Sequence, residues 1–172
     1  MAEQEGAPGA ENPTANGGDT SPQFGIVSQY VKDLSFENPN APAVYQWQGQ
    51  PSIDVQFNIG ANKLADDLHE VALKIEVSAK AQDQIAFQVE LLYGALVAAR
   101  NVPEEQLHPG LLAEVPRLMF PFTREVISRA VQDGGFPPLL LDPIDFTALY
   151  LQQAQAQGQI GEGSVPDPAG QA

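Results

Sequence analysis

The first half of the chain reads with a period of two. Ile53, Val55, Phe57 and Ile59 alternate with Asp54, Gln56 and Asn58. Val71, Leu73, Ile75 and Val77 alternate with Ala72, Lys74, Glu76 and Ser78. Ile85, Phe87, Val89, Leu91 and Tyr93 alternate with Ala86, Gln88, Glu90 and Leu92. Successive side chains of a strand point to opposite faces, so each run predicts a strand with one buried and one wetted face. A further strand is predicted over Gln23–Leu34, with Phe24, Ile26 and Tyr30 on one face and Gly25, Val27, Gln29 and Val31 on the other. Short turns such as Lys80–Asp83 make the sheet antiparallel. The link from Asn38 to Ser52 carries Pro39, Pro42 and Pro51 and is too long for a tight hairpin, so it is expected to cross over.

The second half changes period. Between Pro103 and Asp133, Leu111, Leu112, Val115, Leu118, Met119, Phe122, Val126, Ile127 and Ala130 recur every three or four residues, which predicts one long amphipathic helix. Pro103 followed by Glu104 and Glu105 suits its start, because the missing N–H costs nothing there and acids favour the positive end. Pro109, Pro116 and Pro121 each remove a backbone bond and predict kinks, and Gly134-Gly135 ends the element. A shorter helix is predicted from Asp142-Pro143 and carries Phe146, Leu149 and Tyr150. The fold class is therefore α+β: a four-stranded antiparallel sheet with a long and a short helix. The helical stripe is wider than one chain can cover, which predicts an oligomer. Residues 1–22 and 154–172 lack apolar periodicity, so disordered tails are expected around a single domain at 23–153.

Charge narrows the partners. The 172 residues include 22 acidic and 8 basic side chains, a formal charge of −14. Such a surface repels phosphate backbones and anionic lipid, so neither nucleic acid nor direct membrane insertion is expected, whereas a basic protein or basic unfolded chain is attracted. No cysteine is present, which excludes disulfides and thiolate metal sites. The chain shows no basic segment leading into an apolar run and no apolar stretch long enough for a bilayer, so a cytoplasmic location is expected.

Motifs for chemistry are sparse. His69 and His108 belong to no HxxxH or HxH pattern, and no GxSxG, GxxxxGK[ST] or GxGxxG motif occurs. Asp66 and Asp67, with Glu70 nearby, are the sharpest enzyme-like feature, but neighbours on an extended chain point apart. The expectation is no enzyme, with no catalytic residue, metal or cofactor. Tyr45 and Trp47, the latter the only tryptophan, lie in the crossover. They either wall a groove for apolar side chains or pack on the sheet edge. Asp33, Glu37, Glu76 and Glu90 are expected on wet strand faces, where they either dock a basic module or serve solubility.

Several segments together resemble the SecB family of protein-export chaperones. They are Tyr30–Pro42 (YVKDLSFENPNAP), Leu64–Asp67 (LADD) with Glu70-Val71, Leu118–Glu125 (LMFPFTRE), Gly135–Pro137 and Leu141–Tyr150 (LDPIDFTALY). The likeness covers about Phe24–Gln153, in order. It implies a homotetramer assembled as a dimer of dimers through the helices, here Leu111, Leu112, Val115, Leu118, Met119 and Phe122. It also implies binding of unfolded precursor polypeptides and their delivery to the translocase motor SecA, without cofactor. In the family the acidic sheet face docks the basic tail of SecA, and the matching positions are Asp33, Glu37, Gln88 and Glu90. Gln88 stands where relatives often carry leucine. The family's client groove lies between crossover loop and C-terminal helix, which implies Tyr45, Trp47, Phe146, Leu149 and Tyr150. Trp47 stands about two positions before the usual tryptophan, where this chain has Gly49. The alternative is an acidic β-sheet adaptor or scaffold that binds one folded partner.

Overall fold

The fold is that of a computed structural model describing residue 18 and residues 20–161, with side chains through residue 157. Strands β1 (Gln23–Glu37), β2 (Ser52–Ala65), β3 (Leu68–Ala81) and β4 (Gln84–Arg100) form one antiparallel sheet in the order β1-β4-β3-β2. Because β1 and β2 occupy opposite edges, the link between them crosses the sheet, as its length and prolines predict. It contains a 3₁₀ turn at Ala43–Gln46 that buries Val44 in the core. Helix α1 (Glu104–Pro109), a π-helical turn (Gly110–Glu114), α2 (Val115–Asp133) and α3 (Phe146–Gly161) follow.

The central strands behave as their alternation predicts except near their hairpin, where Ala86 is an extra residue of β4 and Ile85, expected beside Phe87 on the inner face, pairs instead with Lys80 on the outer side. On the inner face Val71, Leu73, Ile75, Leu91, Ala95 and Val97 are fully buried, while the intervening outer residues other than Gly94 stay partly exposed. Gln82 and Asp83 turn β3 into β4 with φ of 53° and 60°, the left-handed pair that a two-residue hairpin needs to match the strand twist.

Strand β1 departs from its predicted pattern. Its ladder with β4 slips between Ile26 and Ser28 and again between Val31 and Asp33, so Val27 and Lys32 are extra residues, each reversing the alternation. Phe24 and Ile26 face inward as expected, but Tyr30 pairs with Gly94 on the outer face. Beyond the second bulge Leu34 and Phe36 face inward and Asp33, Ser35 and Glu37 outward.

The predicted long helix is three segments. Pro116 cannot donate to the carbonyl one α-turn back, and the wider π turn immediately before it absorbs that missing bond. In α2, Val115, Met119, Thr123, Ile127 and Val131 recur at every fourth position and are fully buried. Thr123 satisfies its hydroxyl by donating to the Phe120 carbonyl at 2.8 Å. The helix ends where Gly134-Gly135 predicts: Phe136 N–H donates to Val131 O at 3.2 Å and Gly135 N–H to Gln132 O at 2.9 Å, with Gly135 at φ 85°. This doubly bonded reversal needs a left-handed residue, which glycine supplies without strain.

Two boundaries differ from prediction. Helix α3 begins at Phe146 rather than Asp142, because the Asp145 carboxylate caps it, accepting from Ala148 N–H at 2.9 Å. It also runs on to Gly161, past the expected end of the domain at residue 153. The remainder of the predicted tails, residues 1–17, 19 and 162–172, lies outside the described residues.

Candidate functional site

Two surfaces stand out, and the sheet separates them. The first is an apolar cavity of about 360 Å³ where the crossover loop meets the link after α2, lined by Val44, Tyr45, Trp47, Pro51, Phe136 and Pro137 among others. Its wall is an aromatic cluster: the Phe136 ring lies 4.8 Å from Phe87 and 5.5 Å from Tyr45, centroid to centroid, and Phe36 lies 6.0 Å from Phe87. Polar bonds fix the loop against the helix end. The Tyr45 hydroxyl donates to Gly134 O at 2.8 Å, and the Asn38 amide donates to Tyr45 Oη at 2.8 Å and to Gly134 O at 3.3 Å. The last carbonyls of a helix lack intrahelical partners, so this one anchors the loop. Phe36 lies against Gly134 so closely that a side chain there would collide with its ring.

The cavity brings together Tyr45 and Trp47 but not the other three residues that the resemblance implies. Phe146 is buried in the core, 5.5 Å from Phe120, because the cap at Asp145 turns it inward. Leu149 packs against the same core. Tyr150 Oη lies 2.8 Å from His108 Nδ1, so it joins α3 to α1. The helix therefore covers the α1 end of the sheet, and Phe136 and Pro137 supply the wall instead. Sequence reasoning missed them because they follow the helix stop in no period. Their signal was the run Phe136-Pro137-Pro138, apolar yet unable to extend a helix.

The second surface is the outer face of the sheet. In the β1–β4 register Glu37 pairs with Gln88 and Ser35 with Glu90, and Asp33 pairs with Leu92 one step further. Across β3 and β2, Glu76 pairs with Glu90 and Asp54 with Ser78. Asp33, Glu37, Gln88 and Glu90 thus share one face with Asp54 and Glu76. Lys74 stands among them, 2.6 Å from Glu76 and 3.1 Å from Glu90, and these carboxylates, Glu76 first, raise its pKa. Five carboxylates around one ammonium leave the face strongly negative.

Beside it a tighter cluster forms at the bulge. Tyr30 Oη donates to Glu70 Oε1 at 2.7 Å, and Lys32 Nζ approaches the same oxygen at 2.9 Å. The hydrogen bond to Glu70 and then burial push the Tyr30 hydroxyl up to about 12, while the bonds from Lys32 and Tyr30 hold Glu70 below the usual carboxylate range. The Tyr30 ring covers Gly94 at a distance that leaves no room for a Cβ.

The six residues expected at an oligomer interface divide. Leu111, Val115 and Met119 are buried against the chain's own sheet, so they form no surface. Leu112 is half-buried. Leu118 and Phe122, one turn apart on the other side of α2, are 42% and 53% exposed. A single stripe was expected because residues three and four apart look alike in sequence; the helix in fact carries two apolar lines.

Asp66 and Asp67 do not converge. Asp66 pairs with Lys63 at 3.3 Å and Asp67 with Arg100 at 3.1 Å. Among the described residues no group of three or more His, Asp or Glu gathers to hold a metal ion, and no helix is long and apolar enough to cross a membrane.

Residues 17–157 match the family model described as preprotein translocase subunit SecB. The chain is 61% identical over 159 residues to the protein-export protein SecB of Sphingopyxis alaskensis, covering 91% of each chain. It is 56% identical over 163 residues to that of Zymomonas mobilis, covering 94% of this chain and 98% of the relative. Among solved structures, a SecB-like chaperone of Mycobacterium tuberculosis, in complex with a ChAD peptide from the HigA1 antitoxin, shares the fold. The TM-score is 0.59 at 18% identity, over 70% of this chain and 90% of that one. Family model, curated relatives and fold agree: the chain belongs to the SecB family of protein-export chaperones.

Proposed function

We propose that this protein holds precursor polypeptides unfolded in its apolar cavity and passes them to SecA through its acidic sheet face. It works in the cytoplasm as a homotetramer, a dimer of dimers, without cofactor or chemical step. The observation that carries the reading is the separation of the two surfaces. The cavity around Tyr45, Trp47 and Phe136 lies on one side, and Asp33, Glu37, Gln88 and Glu90 lie on the other, so client and motor can be bound together. Apolar side chains of a non-native chain gain by leaving water, and the aromatic wall accepts them without demanding a sequence. Charges on the open face set encounter rate and salt sensitivity with a basic partner. The exposed Leu118 and Phe122 of α2 support assembly through that helix, and several cavities per assembly turn weak contacts into avidity on one long client.

The test adds the protein at near-stoichiometric ratio to several unrelated denatured proteins and follows their refolding, with SecA binding measured on the same samples. Wild type is expected to slow them all. Trp47→Ala weakens holding more than it lowers the melting temperature, and Asp33→Lys with Glu90→Lys loses SecA while still holding clients. A protein that delays no refolding and binds one folded partner instead is an adaptor, and the reading fails.

A further inference from the structure

The acidic face depends on an irregularity. Tyr30 is on the outer face and Val31 on the inner, so strict alternation would turn Asp33 inward. Asp33 stands opposite Leu92 on the outer face only because Lys32 is an extra residue in β1. A bulge leaves its extra residue without a place in the ladder, and side-chain contacts then decide how firmly it is held. Here Lys32 Nζ is 2.9 Å from Glu70 Oε1, on β3, and the Tyr30 hydroxyl donates to the same oxygen at 2.7 Å. The Glu70 side chain is only 15% exposed, and Tyr30 bridges to it over Gly94 on β4. The contact therefore ties the edge strand across β4 to the strand beyond.

We propose that Glu70 is a positioning residue for the docking face: by pairing with Lys32 at the bulge it keeps the Lys32 charge away from the surface that a basic partner meets. This rests on the proposed docking of SecA. Released, the Lys32 ammonium sits on a flexible stem next in sequence to Asp33, where it cancels the nearest docking carboxylate and repels the partner. Screening confines such effects to about 8–10 Å at ordinary salt, so the position of the lost charge matters more than the change in net charge.

The experiment measures SecA binding to the full chain at fixed salt, with client holding and thermal melting beside it. Glu70→Gln is expected to weaken SecA binding about fivefold, whereas Glu105→Gln, the same charge change on exposed α1, costs less than about twofold. Adding Lys32→Gln to Glu70→Gln removes the freed cation and restores affinity to within about twofold of wild type, with client holding unchanged throughout. Should Glu70→Gln fail to fold, Glu70→Asp keeps the charge but draws the carboxylate back from Lys32, and it still weakens SecA binding. The proposal is overturned if Glu70→Gln or its substitute binds like wild type, or if Lys32→Gln brings no recovery. Wild type that does not bind SecA defeats the docking reading itself, a different result from a bound wild type with indifferent variants.

Discussion

The inner and outer faces of the sheet come from the same strands yet are held by different physics. On β3 the inner residues Val71, Leu73 and Ile75 are fully buried, while their outer neighbours Lys74 and Glu76 are 39% and 44% exposed. An inner side chain touches neighbours on all sides, so its loss leaves a void that the close-packed core fills only in part. An outer side chain exchanges one hydrated partner for another and contributes little to stability, but its charge reaches a binding partner at full strength. Inner positions should therefore report in melting curves, and outer ones in affinity and salt dependence.

Phe146→Ala is the largest break to attempt. The ring is buried edge-on to Phe120, and truncation should cost about 3–5 kcal/mol, read as a shift of the urea midpoint with the slope unchanged. If the variant instead kept its midpoint and lost client binding, Phe146 would be a groove wall after all and the inner face would extend into the site.

Gly94→Ala sharpens the comparison from the other side. Gly94 lies on the outer face, but it is buried beneath Tyr30, and a Cβ there would stand 2.5 Å from the Tyr30 ring. The ring must swing away and release Glu70, at a cost of about 1–2 kcal/mol. An unchanged midpoint would show that the outer face is unpacked even here. Such a result would remove the only outer position expected to behave like an inner one.

These predictions fall where sequence reading was strong and where it was blind. The inner faces of β2, β3 and β4 were legible because their alternation is unbroken through the middle of each strand and slips only near the ends, at Leu64 and Ala86. β1 was legible as a strand but not in its facing, since a bulge at Val27 or Lys32 has no composition of its own and each reverses every later residue. Tyr30 was consequently assigned to the wrong face. Tyr45 and Trp47 could be singled out because aromatics inside a proline-rich crossover obey no period. Phe146 could not be told from a groove residue, because a buried and an open apolar position on a helix read alike. That Glu37 and Gln88 are neighbours follows from strand register, which distant segments fix only when paired.

Alkaline pH probes the Tyr30–Glu70 contact with a smaller effect. A tyrosine hydroxyl ordinarily ionises near 10, and this one is pushed up to about 12. The folded chain thus keeps that proton where the unfolded chain releases it. The contribution to stability is complete below pH 10 and is lost as pH rises through about 12. Glu70 has the opposite sign: its lowered value adds stability above the ordinary carboxylate range, lost as pH falls through its own pKa. Melting temperatures of wild type and Tyr30→Phe should differ most at neutral pH and converge in strong alkali. A constant difference across that range would show that the hydroxyl does not titrate with the fold.

The smallest expected effect on stability separates the faces most cleanly. Lys74 is the ammonium among the carboxylates of the outer face, bonded to Glu76 and Glu90 but well exposed, so water and salt can replace both partners. Lys74→Gln should leave the melting temperature where it was. Its consequence lies in binding: with the central positive charge gone, the face attracts a basic partner more strongly and the affinity falls more steeply as salt is added. Measuring SecA affinity at several salt concentrations checks both parts. A variant that melts lower without binding tighter would mean that Lys74 holds its neighbours in place, and that the outer face, like the inner, is a packed layer.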